Sequence, residues 1–384
     1  MKILNAFNMV QDAYNVTKAM RNYGIDAHLL IKANDVAFAN PLWEDFEIKE
    51  SQFGDPLKPK KIAVESLPYW IKIIDIAGIH KKIFNIYKLK EMFDYYDFIF
   101  AHTPGPLYCL ITHTRTPWIP YDAGLIRYLP FVKNYLPVYR PSLNSKIFLK
   151  LSEVAYKKAK RIIYTNPDTW NLFQNAGLED KLIFIPFSID CEKYKPTKVH
   201  RLIPHAELIF FMPSRHHWEE KGTDKVLRAF ARLLKSHQET YLVMISWGTH
   251  LKKSMDLIDQ LGITKNIVWL HPLNKLNLIK MFASVDVVLD QFTLGSWGTL
   301  TPEAMACMKP VIMYYNVNDI RRCFGDLPPI LNAFTENEIF SRMEECFKLD
   351  LHNLGRESRK WVEKTHNPRL VVARHLQVIK EVLS

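Results

Sequence analysis

The sequence predicts an α/β protein with largely parallel sheets, divided into two domains of nearly equal size. Three observations carry that reading. Short apolar runs alternate with amphipathic helical segments along the chain. The alternation stops at a polar, proline-punctuated stretch, Lys193–Pro204, and then restarts. The length of 384 residues suits two domains at roughly 150 residues each.

Met1–Phe7 reads as the first strand and Asp12–Tyr23 as a helix with Ala13, Val16, Ala19 and Met20 on one face. Gly24 suits the helix stop, and Ile25–Ile31 the next strand. Residues 68–96 mix aromatics, isoleucines and lysines and read as a basic amphipathic helix. Phe98–Ala101, Arg161–Thr165 and Leu182–Pro186 are apolar enough for buried strands, with a turn and helix start at Asn166–Asp168. The second series begins with strand Leu208–Met212. It runs through helix Asp224–Ser236, strand Tyr241–Ser246, helix Lys253–Leu261, strand Ile267–Leu270 and helix Asn277–Ala283. Strand Val285–Leu289, helix Pro302–Met308 and strand Pro310–Tyr314 complete the regular alternation. Pro368–Leu383 predicts a closing helix with Leu370, Val371, Ala373, Leu376, Ile379, Val382 and Leu383 on its apolar side.

Composition narrows the function classes. With 48% hydrophobic and 24% charged residues, disorder, collagen-like repeats and whole-chain coiled coil are excluded. Five scattered cysteines without a C-x-x-C pair argue against a zinc ribbon and fit a reducing cytosol. The apolar run after Met1 is too short for a secretory signal, and no uninterrupted stretch reaches the ~18 residues of a membrane span. A cytoplasmic protein is expected, peripheral to a membrane if the 68–96 segment lies on one. The net charge of +11 is spread along the chain, with 27 Lys+Arg against 20 Asp+Glu over residues 1–200. That favours an anionic surface or substrate but carries no nucleic-acid motif.

Two loops carry the chemistry. Asp290–Ala306 follows an apolar strand and opens a helix, so it lies at the carboxyl edge of a parallel sheet, where ligands bind. Thr301 suits the helix cap, Pro302 its first position and Glu303 its first turn. Amides around Gly298, Thr299 and Leu300 are placed to meet a phosphate. Ser214–Asp224 follows the first strand of the second series and holds Arg215, a planar fork, and Lys221, a mobile point charge. These either neutralise a diphosphate or pair with Glu219 and Glu220 on the surface. There is no D-x-D run, and the adjacent His216 and His217 point apart without a supporting carboxylate spacing, so no metal is expected.

Together these loops resemble those of the family 4 retaining glycosyltransferases. The resemblance rests on Arg215 with Lys221-Gly222, on Glu303-Ala304-Met305-Ala306 and on Pro310-Val311-Ile312. Thr165-Asn166-Pro167 through Lys181–Asp190 to Tyr194-Lys195-Pro196 adds a third stretch. It covers about residues 160–315. It implies the GT-B fold, two Rossmann-like domains with a deep interdomain cleft. Residues 1–197 would bind the acceptor, 198–366 the nucleotide-sugar, and 367–384 would pack back on the first domain. Arg215, Lys221, Gly298, Thr299, Leu300 and Thr301 would hold the donor diphosphate and Glu303 the ribose, with UDP- or GDP-sugar as co-substrate and no other cofactor. Sugar transfer to an acceptor hydroxyl with retention is implied.

Three departures stand out. The first Glu of the family's E-x₇-E falls at Gly295, beside the donor sugar. The Arg215 to Lys221 spacing is one residue longer than the common form. The family's N-terminal histidine aligns with Ala123; Asp122 or His102 would be the catalytic contact in its place, the alternative being a capping Asp and a surface His. The 68–96 segment either lies on an anionic bilayer or packs on the first sheet; a glycan or lipid-linked acceptor fits both. Three functional classes remain: a glycosyltransferase, a sugar-nucleotide epimerase, and a catalytically silent sugar-nucleotide or glycan-binding scaffold.

Overall fold

The computed structural model describes residues 1–8, 10–36, 39–45, 60–61, 67–75, 83–122 and 143–384. The chain forms two compact units. One contains Met1–Glu44, Pro56–Ser188 and Pro368–Ser384; the other contains Asp45–Asp55 and Ile189–Asn367. The change of unit at Ser188 and Ile189 comes just before the polar Lys193–Pro204 stretch.

Strands of the first unit are β1 (Lys2–Ala6), β2 (Asp26–Lys32), β3 (Asn34–Asp35), β4 (Lys60–Lys61), β5 (Ile71–Ile74), β6 (Phe98–His102), β7 (Trp118–Asp122), β8 (Ile162–Tyr164) and β9 (Leu182–Phe184). Seven of them form a sheet in the order β5-β2-β1-β6-β7-β8-β9, and each neighbouring pair is parallel. β3 and β4 make a small antiparallel ribbon. The β6 sequence FIFAH is buried along its whole length, as a parallel strand covered on both faces requires. Helix Asp12–Asn22 lays Val16, Ala19 and Met20 against Ile3, Phe98 and Phe100.

One predicted element differs in kind. Residues 68–96 are not one helix. Ile71–Ile74 is an edge strand in register with β2, and among the described residues a helix spans Ile83–Asp94. The β-branched residues Ile71, Ile73 and Ile74 favour the pleated strand over a helix. Leu89 and Phe93 of the helix are buried beside Leu4, Leu30 and Ile99, whereas Tyr87 is 64% exposed. Among the described residues, no helix is long and apolar enough to cross a membrane.

The closing helix, Pro368–Leu383, completes the core of the first unit through Val371, Val372, His375, Val378 and Ile379. Leu370 and Leu383 face out, because the stripe that meets the sheet is centred on 371, 375 and 378. Ala123, where the resemblance aligns the family's histidine, lies outside the described residues.

The second unit holds β10 (Ile209–Met212), β11 (Tyr241–Ile245), β12 (Ile267–Leu270), β13 (Val287–Leu289), β14 (Val311–Met313) and β15 (Leu331–Asn332). Their order is β12-β11-β10-β13-β14-β15, all parallel. The chain therefore winds outward one way from β10 and the other way from β13. Such a reversal opens a crevice beyond the carboxyl ends of the two central strands. In the first unit the same reversal lies between β1 and β6.

Candidate functional site

In the second unit, the loops after β10 and β13 flank the reversal, and these are the two loops singled out in the sequence. The loop after β10 carries Arg215, whose guanidinium pairs with Glu220. Lys221 pairs instead with Asp290, at 3.7 Å, the residue that follows β13. Of the alternative pairing of both cations with Glu219 and Glu220, only Arg215 with Glu220 is present, and Glu220 is buried rather than on the surface.

Asp290 is buried and ties the two loops. It accepts a hydrogen bond from the Ser214 hydroxyl at 3.2 Å on one carboxylate oxygen and from Thr301 at 2.8 Å on the other. Thr301 is consequently not the helix cap that was expected. The helix runs Leu300–Ala306, and the Thr301 hydroxyl is drawn to the buried Asp290 rather than to the helix amides. Thr299, Leu300 and Thr301 still occupy its opening turn, whose amides lack intrahelical partners. Gly298 precedes that turn, and a side chain added there would meet open space within 4 Å.

Glu303 is 1% exposed, and both of its carboxylate oxygens accept hydrogen bonds from Lys275, at 2.5 and 2.6 Å. The same ammonium reaches the Thr299 hydroxyl at 3.2 Å. Lys275 opens helix Lys275–Ser284, which Asn274 caps by accepting from the Asn277 amide. A carboxylate has about four acceptor positions, so two remain for hydroxyls of a ligand. Gly295 sits where the resemblance puts a glutamate. Its carbonyl accepts from the Asn316 amide at 2.9 Å, and a Cβ there would lie 3.0 Å from the Asn316 Cβ. A larger side chain at 295 is disfavoured by that contact.

In the first unit, His102 ends β6 and Asp122 ends β7, both at the carboxyl edge and both buried. The structure adds Asp12, at the start of the helix after β1, with its carboxylate 3.9 Å from the His102 ring. At that spacing the pair is not hydrogen-bonded. Burial pushes Asp12 up to about 7, against a hydrogen bond with Tyr121. Burial pulls His102 down to about 3, helped by His375. His102 is therefore neutral over the physiological range. Tyr121 stacks between the rings of His102, 4.0 Å away, and His375, 5.5 Å away.

Sequence reasoning missed Asp12, Lys275 and Asp290 as members of these clusters. Asp290 carried a signal, since it directly follows an apolar strand. Asp12 and Lys275 meet their partners only through strand order.

His216 and His217 do point apart, but the reason for dismissing metal at His217 does not hold. His216 is buried against Trp269, whereas His217 faces Glu219 and His250, a residue far along the chain.

Residues 193–326 match the family described as Glycosyl transferases group 1. An uncharacterized glycosyltransferase of Methanocaldococcus jannaschii is 32% identical over 153 residues, which is 40% of this chain and 35% of that protein. A D-inositol 3-phosphate glycosyltransferase of Corynebacterium jeikeium is 29% identical over 99 residues, 24% of each. The chain thus matches about a third or less of the length of these curated relatives. Among solved structures, HepE of Anabaena in complex with UDP superimposes with a TM-score of 0.69 at 14% identity, covering 99% of this chain and 100% of that one. Each unit is a Rossmann-like parallel α/β layer structure, the fold is GT-B, and the group 1 glycosyl transferase match lies over residues 193–326.

Proposed function

We propose that this protein is a glycosyltransferase that moves a sugar from a UDP- or GDP-linked donor to an acceptor hydroxyl with retention at the anomeric carbon. The observation that carries the reading is the meeting of the Arg215–Lys221 loop and the Asp290–Glu303 loop at one strand-order reversal. Arg215 and Lys221 would neutralise the diphosphate, with the Gly298–Thr301 amides adding donors to the same oxygens. Glu303, steadied by Lys275, would accept from the ribose hydroxyls. The leaving diphosphate gains charge as the glycosidic bond breaks, and fixed cations stabilise it more in the transition state than in the ground state. No cofactor beyond the nucleotide-sugar enters this scheme.

Asp12, His102 and Asp122 would form the acceptor end, with His102 or Asp122 as the catalytic contact. The acceptor proposed is a glycan or a lipid-linked glycan; because Leu89 and Phe93 of the 68–96 segment pack into the core, only the exposed Tyr87 side of helix Ile83–Asp94 is proposed as an anionic-membrane contact. Support comes from the group 1 match, from the glycosyltransferase names of both curated relatives and from a structural neighbour that binds UDP.

Turnover of UDP- and GDP-sugars by purified protein, with and without a panel of acceptors, tests the reading. Nucleotide binding without turnover across that panel would leave the silent scaffold in its place. Lys221→Ala should weaken UDP or GDP binding roughly 10- to 150-fold, the equivalent of about 1.5–3 kcal/mol for a charge-assisted contact. Unchanged affinity by calorimetry would remove Lys221 from the site.

A further inference from the structure

The loop that carries Arg215 and Lys221 holds a second cluster that the donor reading does not use. His217, Glu219 and His250 place one donor atom each within 4.8 Å of one another. A Glu219 carboxylate oxygen lies 3.5 Å from His217 Nδ1 and 3.2 Å from His250 Nδ1. The backbone amide of Trp218 donates to that same His250 nitrogen at 3.1 Å. That bond makes His250 Nδ1 an acceptor, its one lone pair directed at the Trp218 amide and a Glu219 carboxylate oxygen beside it. Acceptors converge this closely when a cation lies between them. Four ligands at the usual zinc bond lengths of ~2.0–2.1 Å stand about 3.3 Å apart, close to the two spacings here.

The cluster is preorganised by backbone rather than by its own side chains. His216 donates through its amide to the Trp247 carbonyl at 2.9 Å, and the His250 amide donates to the His216 carbonyl at 2.9 Å. The two loops touch where Gly248, at φ +114°, leaves no room for a Cβ, which would lie 2.5 Å from the His216 nitrogen. A glycine is required there, and it fixes the distance between the loop bearing His217 and the loop bearing His250. The imidazoles are 16% and 14% exposed, while Glu219 is 64% exposed, so an ion can enter from the Glu219 side.

We propose that His217, Glu219 and His250 bind a zinc-class divalent ion. Two imidazoles and one carboxylate suit zinc and its first-row neighbours rather than magnesium or calcium, and three protein ligands leave a coordination position for water. The ion takes the His250 lone pair in place of the Trp218 amide and pins the loop after β10 to the one after β11. Its charge is separate from Arg215 and Lys221, so the site does not depend on the donor reading.

Metal-stripped full-length protein is titrated with Zn²⁺ by calorimetry and with Co²⁺ by visible absorption. The expected result is one ion per chain and the intense visible bands of four- or five-coordinate cobalt. Both should be lost on chelation. Glu219→Gln, His217→Ala and His250→Ala should each weaken binding by more than about tenfold, with unchanged far-ultraviolet circular dichroism. His250→Ala removes the acceptor of the Trp218 amide. If it unfolds the loop, the exposed Glu219→Gln variant decides alone. Absence of stoichiometric binding, or binding that Glu219→Gln leaves unchanged, would overturn the site.

Discussion

At the scale of single residues, the buried polar groups set the measurable behaviour. Asp12 has its folded value raised to about 7 from 3.8. The folded state therefore binds a proton between about pH 4 and pH 7 that the unfolded chain has released. This contribution is fully present below about pH 4 and is lost as pH rises through 7. Asp12→Asn should accordingly raise stability at pH 8 by on the order of 3 kcal/mol, with the gain shrinking toward pH 4. Thermal melts of both proteins across that range check it, and a gain that is equal at pH 4 and pH 8 would show that Asp12 is ionised in the fold. His102 and His375, held down to about 3 and about 4 by burial, act with the opposite sign. Their stability is present above pH 6.5 and lost as pH falls. Lys275 offers a second handle. Lys275→Met strands the buried Glu303 and should cost about 3–5 kcal/mol, whereas Lys275→Met with Glu303→Gln should recover more than half of the loss. Chemical denaturation of the two variants separates a buried pair from a surface contact.

At the scale of elements, the alternation of strands and helices was legible because parallel strands covered on both faces are continuous apolar runs. Strand Ile267–Leu270 and helix Pro368–Leu383 fall at their predicted bounds. The error at residues 68–96 has a physical cause too: a short isoleucine-rich edge strand followed by a helix presents a mixture that periodicity alone does not resolve. Candidate residues could be picked out within a single segment, as Arg215 and Lys221 were on the loop after β10 and Glu303 was on the helix after β13. They were illegible where two loops meet, because the partners Asp12 with His102 and Lys275 with Glu303 are joined by strand order and not by spacing. Helix packing shows the same limit. Gly355 lies inside helix Leu351–Thr365, where glycine is normally unfavourable by about 1 kcal/mol. A Cβ at that position would stand 2.1 Å from the Met308 carbonyl oxygen, just past the Leu300–Ala306 helix. Gly355→Ala should thus destabilise by about 2–4 kcal/mol despite its better helix propensity. A melting temperature equal to that of the parent would mean that the two helices separate at no cost.

At the scale of the molecule, the second unit is built almost wholly from the continuous stretch Ile189–Asn367, while the first is closed by residues from the far end of the chain. Val371, Val372, Val378 and Ile379 belong to the same apolar cluster as Ile3, Phe98, Ile119 and Ile163. Arg161 also pairs with Glu381, and Lys160 donates to the Val382 carbonyl at 3.1 Å. Removing residues 368–384 should therefore expose the β1, β6 and β7 face and lower the stability of the first unit. Limited proteolysis is expected to cut within residues 1–188 of the truncated protein and to spare 189–367. Equal resistance of the two stretches would place the closing helix outside the core. The same helix imposes a timetable on synthesis. A ribosome releases the first sheet long before the segment that seals it, so that sheet must stay open until residues 368–384 are made. A stop codon anywhere in the codons for residues 368–384 would then be felt in the sheet formed by residues 2–184.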